Sequence, residues 1–283
     1  MRLPNKRFEA AGRSCGKNCV ASPASLFLCR STALRLRALR PQLKRDPLGR
    51  TMTPFVTQVA TLGFAIIPAF LGQDDLLTLE RSLPHPSAER GGVRNLLDIP
   101  AVADLADADQ IRSLIDPILG SDAFPVRGIL FDKTPATNWR VSWHQDLTIA
   151  VTKRVEAPEY GPWSEKHGVV HVQPPAAVLE CMLAVRLHLD HSGAGNGPLR
   201  VLSGSHRAGK LRDAEIPTWR KKIPEVACLI PRGGVLLMRP LLLHASSPAV
   251  EPDHRRVIHI EYASSVLAEG LQWRWGRRGA RAA

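Results

Sequence analysis

The order of the segments constrains this chain most. Helical patterns come first, and from Phe124 to Ala263 short apolar runs follow one another, cut by glycines and prolines. "TPFVTQVATLGFAIIPAFL" predicts a short helix, a turn at Gly63 and a strand near 64–67. "GQDDLLTLERSL" predicts a helix, with Gln73 and Asp74 near its start and Leu76, Leu77, Leu79 and Leu83 as its apolar positions. Residues 100–119 predict one or two further helices ending at Gly120. Strands are expected at 124–131, 139–151, 177–190, within "LRVLSGSH", at 233–246 and at 255–263. Residues 152–175, rich in Pro and Gly, read as a long loop, and Pro240 marks an edge or a bulge. Helices followed by many short strands argue for a mainly β protein with an N-terminal helical layer. A jelly roll, which closes or pairs its strand edges, fits best.

Charge divides the chain. The formal net charge is +12, but residues 1–50 carry 12 Lys and Arg against Glu9 and Asp46. The other 233 residues carry 26 basic and 24 acidic side chains, so the basic character belongs to an extension and not to a nucleic-acid-binding fold. The expected division is an extension at 1–51, a folded domain at 52–268 and a basic C-terminal tail at 269–283. Three readings of the extension stand side by side: a disordered segment, an organelle-targeting peptide, or upstream sequence preceding a true start at Met52. Of five cysteines, Cys15, Cys19 and Cys29 lie in the extension and only Cys181 and Cys228 in the body. Such usage fits a reducing compartment such as the cytoplasm, without a disulfide framework. The longest apolar stretches, such as 63–71, are about half of the ~20 residues that a membrane-spanning helix needs.

The chemistry concentrates in "VSWHQDLTIAV", residues 141–151. Strand alternation puts Ser142, His144, Asp146 and Thr148 on one face, so His144 and Asp146 can reach one cation. Two histidines and one carboxylate on one side of a metal make the set used by non-haem Fe(II) oxygenases. A second copy, His188-Leu189-Asp190, has the same spacing and shares a face with Arg186. His167 and His171 add further imidazoles in the 152–175 loop. Spacing alone leaves both copies open, beside the plain reading of a polar strand face with a His–Asp hydrogen bond.

"WHQD" at 143–146, "NGPLRVLSGSHRAG" at 196–209, "LLLHASSP" at 241–248 and "RRVIHIEY" at 255–262, in that order, resemble the phytanoyl-CoA dioxygenase family. "LGFAIIPAFL" also looks like the opening segment of that family, and the resemblance covers roughly 55–265. It implies a double-stranded β-helix, the cupin-like relative of the jelly roll, and an Fe(II)- and 2-oxoglutarate-dependent oxygenase using O2. It assigns His144, Asp146 and His244 as iron ligands. It assigns Arg255, eleven residues past His244, to the far carboxylate of 2-oxoglutarate, a role that suits a planar guanidinium fork. A register slip of one would hand this role to Arg256. Ser246 falls where the family places a hydroxyl near that carboxylate. Arg186 is either a second carboxylate anchor, a substrate contact or the partner of Asp190. Lys133 and Asn138 are expected to border the pocket. His206 and Trp143 read as structural, and His259 as a core histidine.

With Asp146 present, where related halogenases carry a small residue, the resemblance implies hydroxylation of a small organic or acyl substrate with release of succinate and CO2. Lys153, Arg154 and Lys166 are contacts for an anionic substrate such as an acyl-CoA, or ordinary solvated charges. The competing reading is a non-catalytic or 2-oxoglutarate-independent cupin-like protein that binds a metal or ligand. A small-molecule substrate is expected, and neither nucleic acid on the folded domain nor a membrane span.

Overall fold

Pro54 opens the first helix, α1 (Pro54–Leu62), and Gly63, at φ 86°, ends it in the left-handed region that glycine adopts without a Cβ penalty. The computed structural model describes residues 53–84, 92–268 and 270–276. The extension at 1–51, with its three cysteines, and the last seven residues of the basic tail lie outside the described residues. After α1 come β1 (Phe64–Ile67), α2 (Gln73–Ser82), β2 (Gly92–Val93), α3 (Pro100–Asp107), α4 (Asp109–Leu119) and β3 (Phe124–Lys133). Next are β4 (Val141–His144), β5 (Ile149–Val151), β6 (Trp163–Lys166), β7 (Val169–Val172), α5 (Ala176–Glu180) and β8 (Met182–His188). The chain closes with β9 (Leu199–Leu202), α6 (Ile216–Lys222), β10 (Glu225–Cys228), β11 (Val235–Met238), β12 (His244–Ser246) and β13 (Arg255–Ala263).

The strands form a six-stranded sheet, ordered β1-β11-β8-β13-β3-β2, a four-stranded sheet, β10-β9-β12-β4, and a three-stranded sheet, β5-β7-β6. The first two sheets face each other: Phe64, Leu236 and Met238 of one pack on Leu199, Val201 and Cys228 of the other. This is the double-stranded β-helix. Alternation along the strands decides what each face meets. Ile258, Ile260 and Tyr262 of β13, with Leu183, Val185 and Leu187 of β8, join the core under α2, α3 and α4. The Tyr262 hydroxyl donates to the Ala106 carbonyl of α3 at 2.9 Å. Odd positions of β13 and even positions of β8 therefore face inward, between the sheets, where Arg186, Arg255, His259 and Glu261 are all buried. No helix among the described residues is long and apolar enough to cross a membrane.

Four expectations need correction. The run 139–151 is two strands in different sheets, because the chain leaves β4 after His144 and enters β5 at Ile149. The 152–175 loop contains the β6–β7 hairpin, turned by His167 at φ 51° and Gly168 at φ 73°. Positive φ at both central positions is the two-residue turn whose twist suits a hairpin. The run 177–190 begins inside α5, so only its second half is strand. The run 233–246 breaks into β11 and β12, which belong to opposite sheets; Arg239 and Pro240 turn between them, with Leu242 N–H donating to Arg239 O at 3.0 Å. Packing also continues past 268: Leu271 is buried, Trp273 bridges Val151, and Trp275 packs on the helical core.

Candidate active site

His144 on β4 and His244 on β12 are direct cross-strand partners in the four-stranded sheet. Their rings lie 4.2 Å apart between centroids. Nδ1 of His144 lies 2.8 Å from the Ser142 carbonyl, and Nδ1 of His244 lies 2.9 Å from the Leu242 carbonyl. A carbonyl only accepts, so each Nδ1 carries the proton and each Nε2 presents its lone pair. Asp146 sits two residues beyond β4, held by its own N–H donating to Pro240 O at 2.9 Å. Its carboxylate oxygens are 3.8 Å from His144 Nε2 and 3.6 Å from His244 Nε2, beyond hydrogen-bond length. The three ligand atoms lie within 4.8 Å of one another. Three acceptors face one point with no proton between them, and that donor set suits a divalent cation. Burial raises the Asp146 carboxyl, but His244, His259, His144 and Arg127 outweigh it and hold the group below the usual carboxylate range. Burial pushes His244 down to about 4, keeping it neutral and able to ligate.

These three residues open onto a cavity of about 390 Å³ between the sheets. Lys133, Arg186, Ser246 and Arg255 also line it. Lys133 and Arg255 are cross-strand partners at the adjoining ends of β3 and β13. The Lys133 ammonium donates to Ser246 Oγ at 3.0 Å and to Ser247 O at 2.6 Å. Arg255 donates through Nη1 to the Gly197 carbonyl, while its buried Nε has no partner among the described residues. Neither cation has an ion pair to a carboxylate among the described residues. Burial first, and then Arg186, pull the Arg255 guanidinium down to about 10. Two buried cations without a counter-charge, one with an orphaned N–H, fit a carboxylate-bearing ligand.

The sequence profile of the phytanoyl-CoA dioxygenase (PhyH) family matches residues 87–257. The chain belongs to the phytanoyl-CoA dioxygenase family. The peroxisomal phytanoyl-CoA dioxygenase of Mus musculus is 23% identical over 173 residues, which are 55% of this chain and 44% of that enzyme. The chain thus matches under half the length of that relative. Among solved structures, AviO1 from Streptomyces viridochromogenes is 24% identical, with a TM-score of 0.55 over 77% of this chain and 98% of that one. EctD from S. alaskensis, solved with 2-oxoglutarate and 5-hydroxyectoine, is 16% identical, with a TM-score of 0.59 over 81% of this chain and 85% of that one. At these identities the likeness shows the shared fold.

The other motif residues of this family member fall elsewhere. Arg256 leaves the pocket: it donates to Asp190 at 2.7–2.9 Å and to Glu80 Oε1 at 2.8 Å. Asp190 is therefore taken, and Arg186 is not its partner. Arg186 donates instead to Nδ1 of His259 at 2.9 Å. The second His-x-Asp copy splits because β8 ends at His188, so Asp190 turns to the helix side while His188 stays buried inside. Asn138 does not line the cavity; its amide holds both the N–H and the carbonyl of Ala249. Trp143 meets the Arg200 and Arg220 guanidinium groups over its ring and does not line the cavity either. His206 packs beneath Gly63, as a structural residue.

The structure adds residues that sequence reasoning missed. His259 is no ordinary core histidine: it lines the cavity, accepts from Arg186 and meets Glu261 through Nε2 at 3.1 Å. Glu261 in turn pairs with Arg127. Asp146, His259 and Glu261 also lie within metal-ligating distance of one another. His259 and Glu261 are already engaged by the Arg186 and Arg127 guanidinium groups, so this second cluster is a charged floor beneath Asp146 and not a cation site. Inward alternation along β13 from Arg255 carried the signal, since it puts His259 and Glu261 on the Arg255 face. A larger hollow of about 950 Å³ adjoins Asp132, Asp190, His254 and Arg256 and contains none of His144, Asp146 and His244. Most of its charges are paired, as Asp132 with His254 and Glu80 with Arg232.

Proposed function

We propose that the protein is an Fe(II)- and 2-oxoglutarate-dependent dioxygenase that hydroxylates a small organic substrate, releasing succinate and CO2. The observation that carries this reading is the convergence of His144 Nε2, His244 Nε2 and the Asp146 carboxylate, with both Nδ1 protons committed to carbonyls. His144, Asp146 and His244 would hold the iron. Arg255 and Lys133 would hold the far carboxylate of 2-oxoglutarate, with Ser246 between Lys133 and that group, and Arg186 as a cation behind it. When bound, the iron and 2-oxoglutarate supply the oxidising power that inserts an oxygen atom of O2 into a substrate C–H bond.

The chain's own part is placement. The two backbone carbonyls fix both imidazoles in the ligating tautomer. The Arg186–His259–Glu261–Arg127 chain sets a rigid charged floor under Asp146, whose carboxyl is held below the usual range by His244 first, then His259, His144 and Arg127. Ile129, Phe131 and Leu147 give the cavity an apolar wall, which limits water near the reacting carbon. Two buried cations without acidic partners favour this reading over a cupin-like protein working without 2-oxoglutarate. Free thiols at Cys181 and Cys228 support a reducing compartment such as the cytoplasm.

Equilibrium dialysis against Fe(II) under argon tests the ligand set. His244→Ala is expected to weaken metal binding by about 100-fold or more, beyond the 10–100-fold typical of losing an outer-shell partner. Undiminished binding in that variant contradicts the assignment.

A further inference from the structure

The cavity carries more positive charge than iron, 2-oxoglutarate and its own acid account for. Among the described residues, six cationic side chains line it, from Arg94, Arg127, Lys133, Lys166, Arg186 and Arg255, against one carboxylate, Asp146. They fall into two groups. Lys133 and Arg255 are partners at one end of the β3–β13 pair. Arg127 lies six residues back along β3, opposite Glu261, roughly 20 Å away at the usual strand rise. Arg127, Ile129, Phe131 and Lys133 alternate along one face of β3 and all line the cavity, so the strand runs its length.

Arg94 follows Val93, the partner of Leu130, and so leaves the sheet beside Ile129, two residues from Arg127 on β3; Lys166, the last residue of β6, lines the same cavity. Burial, and then the Arg127 charge, lower the Arg94 pKa; burial, and then Arg127 and Arg94, lower that of Lys166. Three elements thus bring cations together at the end far from Arg255. Arg127 is offset by Glu261. The Arg94 and Lys166 side chains have no hydrogen bond or ion pair among the described residues, and both are half-buried. Like charges gathered in a partly desolvated wall oppose folding unless a ligand offsets them.

We propose that this end is the substrate's anchoring site. The primary substrate carries an anionic head, a carboxylate or a phosphate, held by Arg94 and Lys166 with Arg127 behind them. Its apolar part runs past Ile129 and Leu147 toward His144 and Asp146. Arg94 supplies the planar fork that grips such a head in two places, and Lys166 a compact point charge. The inference rests on the iron and 2-oxoglutarate reading of the same cavity and names the substrate class for it.

The test is calorimetric titration of octanoate, octyl phosphate and octan-1-ol into the full chain loaded with Fe(II) and 2-oxoglutarate under argon. At least one anion is expected to bind about tenfold tighter than the alcohol or better, as for one charge-assisted hydrogen bond. The tighter anion identifies the head group. The double variant Arg94→Gln and Lys166→Gln is expected to lose that preference and keep its 2-oxoglutarate affinity. A Lys221→Gln and Lys222→Gln control on exposed α6 is expected to keep the preference. The proposal is overturned if neither anion outbinds the alcohol, if none of the three binds, if the Arg94 and Lys166 variant keeps the preference, or if the α6 control loses it. A preliminary 2-oxoglutarate titration of the wild-type protein separates the two levels. Failure there overturns the dioxygenase reading itself.

Discussion

Lys133 is 1% exposed, and among the described residues its ammonium reaches only two oxygens, Ser246 Oγ and Ser247 O. Burial, and then the neighbouring Arg255, bring its pKa from 10.5 down to about 7. The sign follows from linkage. Below about 7 the folded, ligand-free chain carries a buried ammonium that opposes folding. Between about 7 and 10.5 the unfolded chain binds the extra proton, so stability rises with pH across that window. A dianionic ligand beside Lys133 restores the charged form. Binding of 2-oxoglutarate above pH 7 is therefore expected to take up a proton, and its dissociation constant to rise by up to about tenfold per pH unit. Calorimetry in two buffers of different ionisation enthalpy measures the uptake, and Lys133→Met removes it. Uptake that is absent in the wild type contradicts this account. Gly197 belongs to the same corner. Its φ of 57° and the Ser247 carbonyl, 2.6 Å from where a Cβ would stand, exclude larger residues while its own carbonyl receives Arg255.

At the scale of elements, the decisive piece is the four-residue link between β4 and β5. Gln145 holds it: its amide nitrogen donates to Gly209 O at 2.8 Å and Leu241 O at 2.6 Å, and its oxygen accepts from Leu211 N–H at 2.8 Å. One side chain thereby ties the Asp146 segment to two others. Gln145→Leu leaves buried backbone groups unpaired, each worth about 1–3 kcal/mol. Denaturant unfolding is expected to show that loss, and Fe(II) affinity to fall by roughly 10–100-fold because Asp146 is no longer fixed. A variant that loses stability and keeps its metal affinity separates Gln145 from the site. The sequence pattern gave no hint of this role, because alternation merely sends Gln145 to the face opposite His144. Alternation did separate Arg255 from Arg256 on β13, since a long paired strand keeps its parity. It failed at Asp190, which lies just past the end of β8 where parity no longer holds, whereas Asp146, just past β4, still meets His144. The β6–β7 hairpin was hidden by its prolines and charges, although His167-Gly168 is the turn that should have revealed it.

On the scale of the whole molecule, helices followed by short strands were enough to expect a jelly roll with a helical layer, and the family resemblance narrowed it to the double-stranded β-helix. The division of strands between sheets was not legible, because apolar runs such as 233–246 look alike whether or not they cross from one sheet to the other. The site could be read only as a set: His144, Asp146, His244 and Arg255 are far apart in sequence and ambiguous one by one. The polar floor and the Arg94–Lys166 end depend on which faces meet, and no local motif encodes that. If residues 52–268 and the packed 271–275 segment hold all the working parts, a chain starting at Met52 is expected to bind Fe(II) and 2-oxoglutarate as the full chain does. Loss of binding on truncation contradicts that division.

The most direct measurement is an anaerobic titration of Fe(II) and then 2-oxoglutarate, following the weak visible charge-transfer absorption of their chelate. The band is expected in the wild type, absent in His144→Ala, and to require much higher 2-oxoglutarate in Arg255→Gln while Arg256→Gln behaves as wild type. A full band in His144→Ala, or its loss in His188→Ala instead, contradicts the site described here.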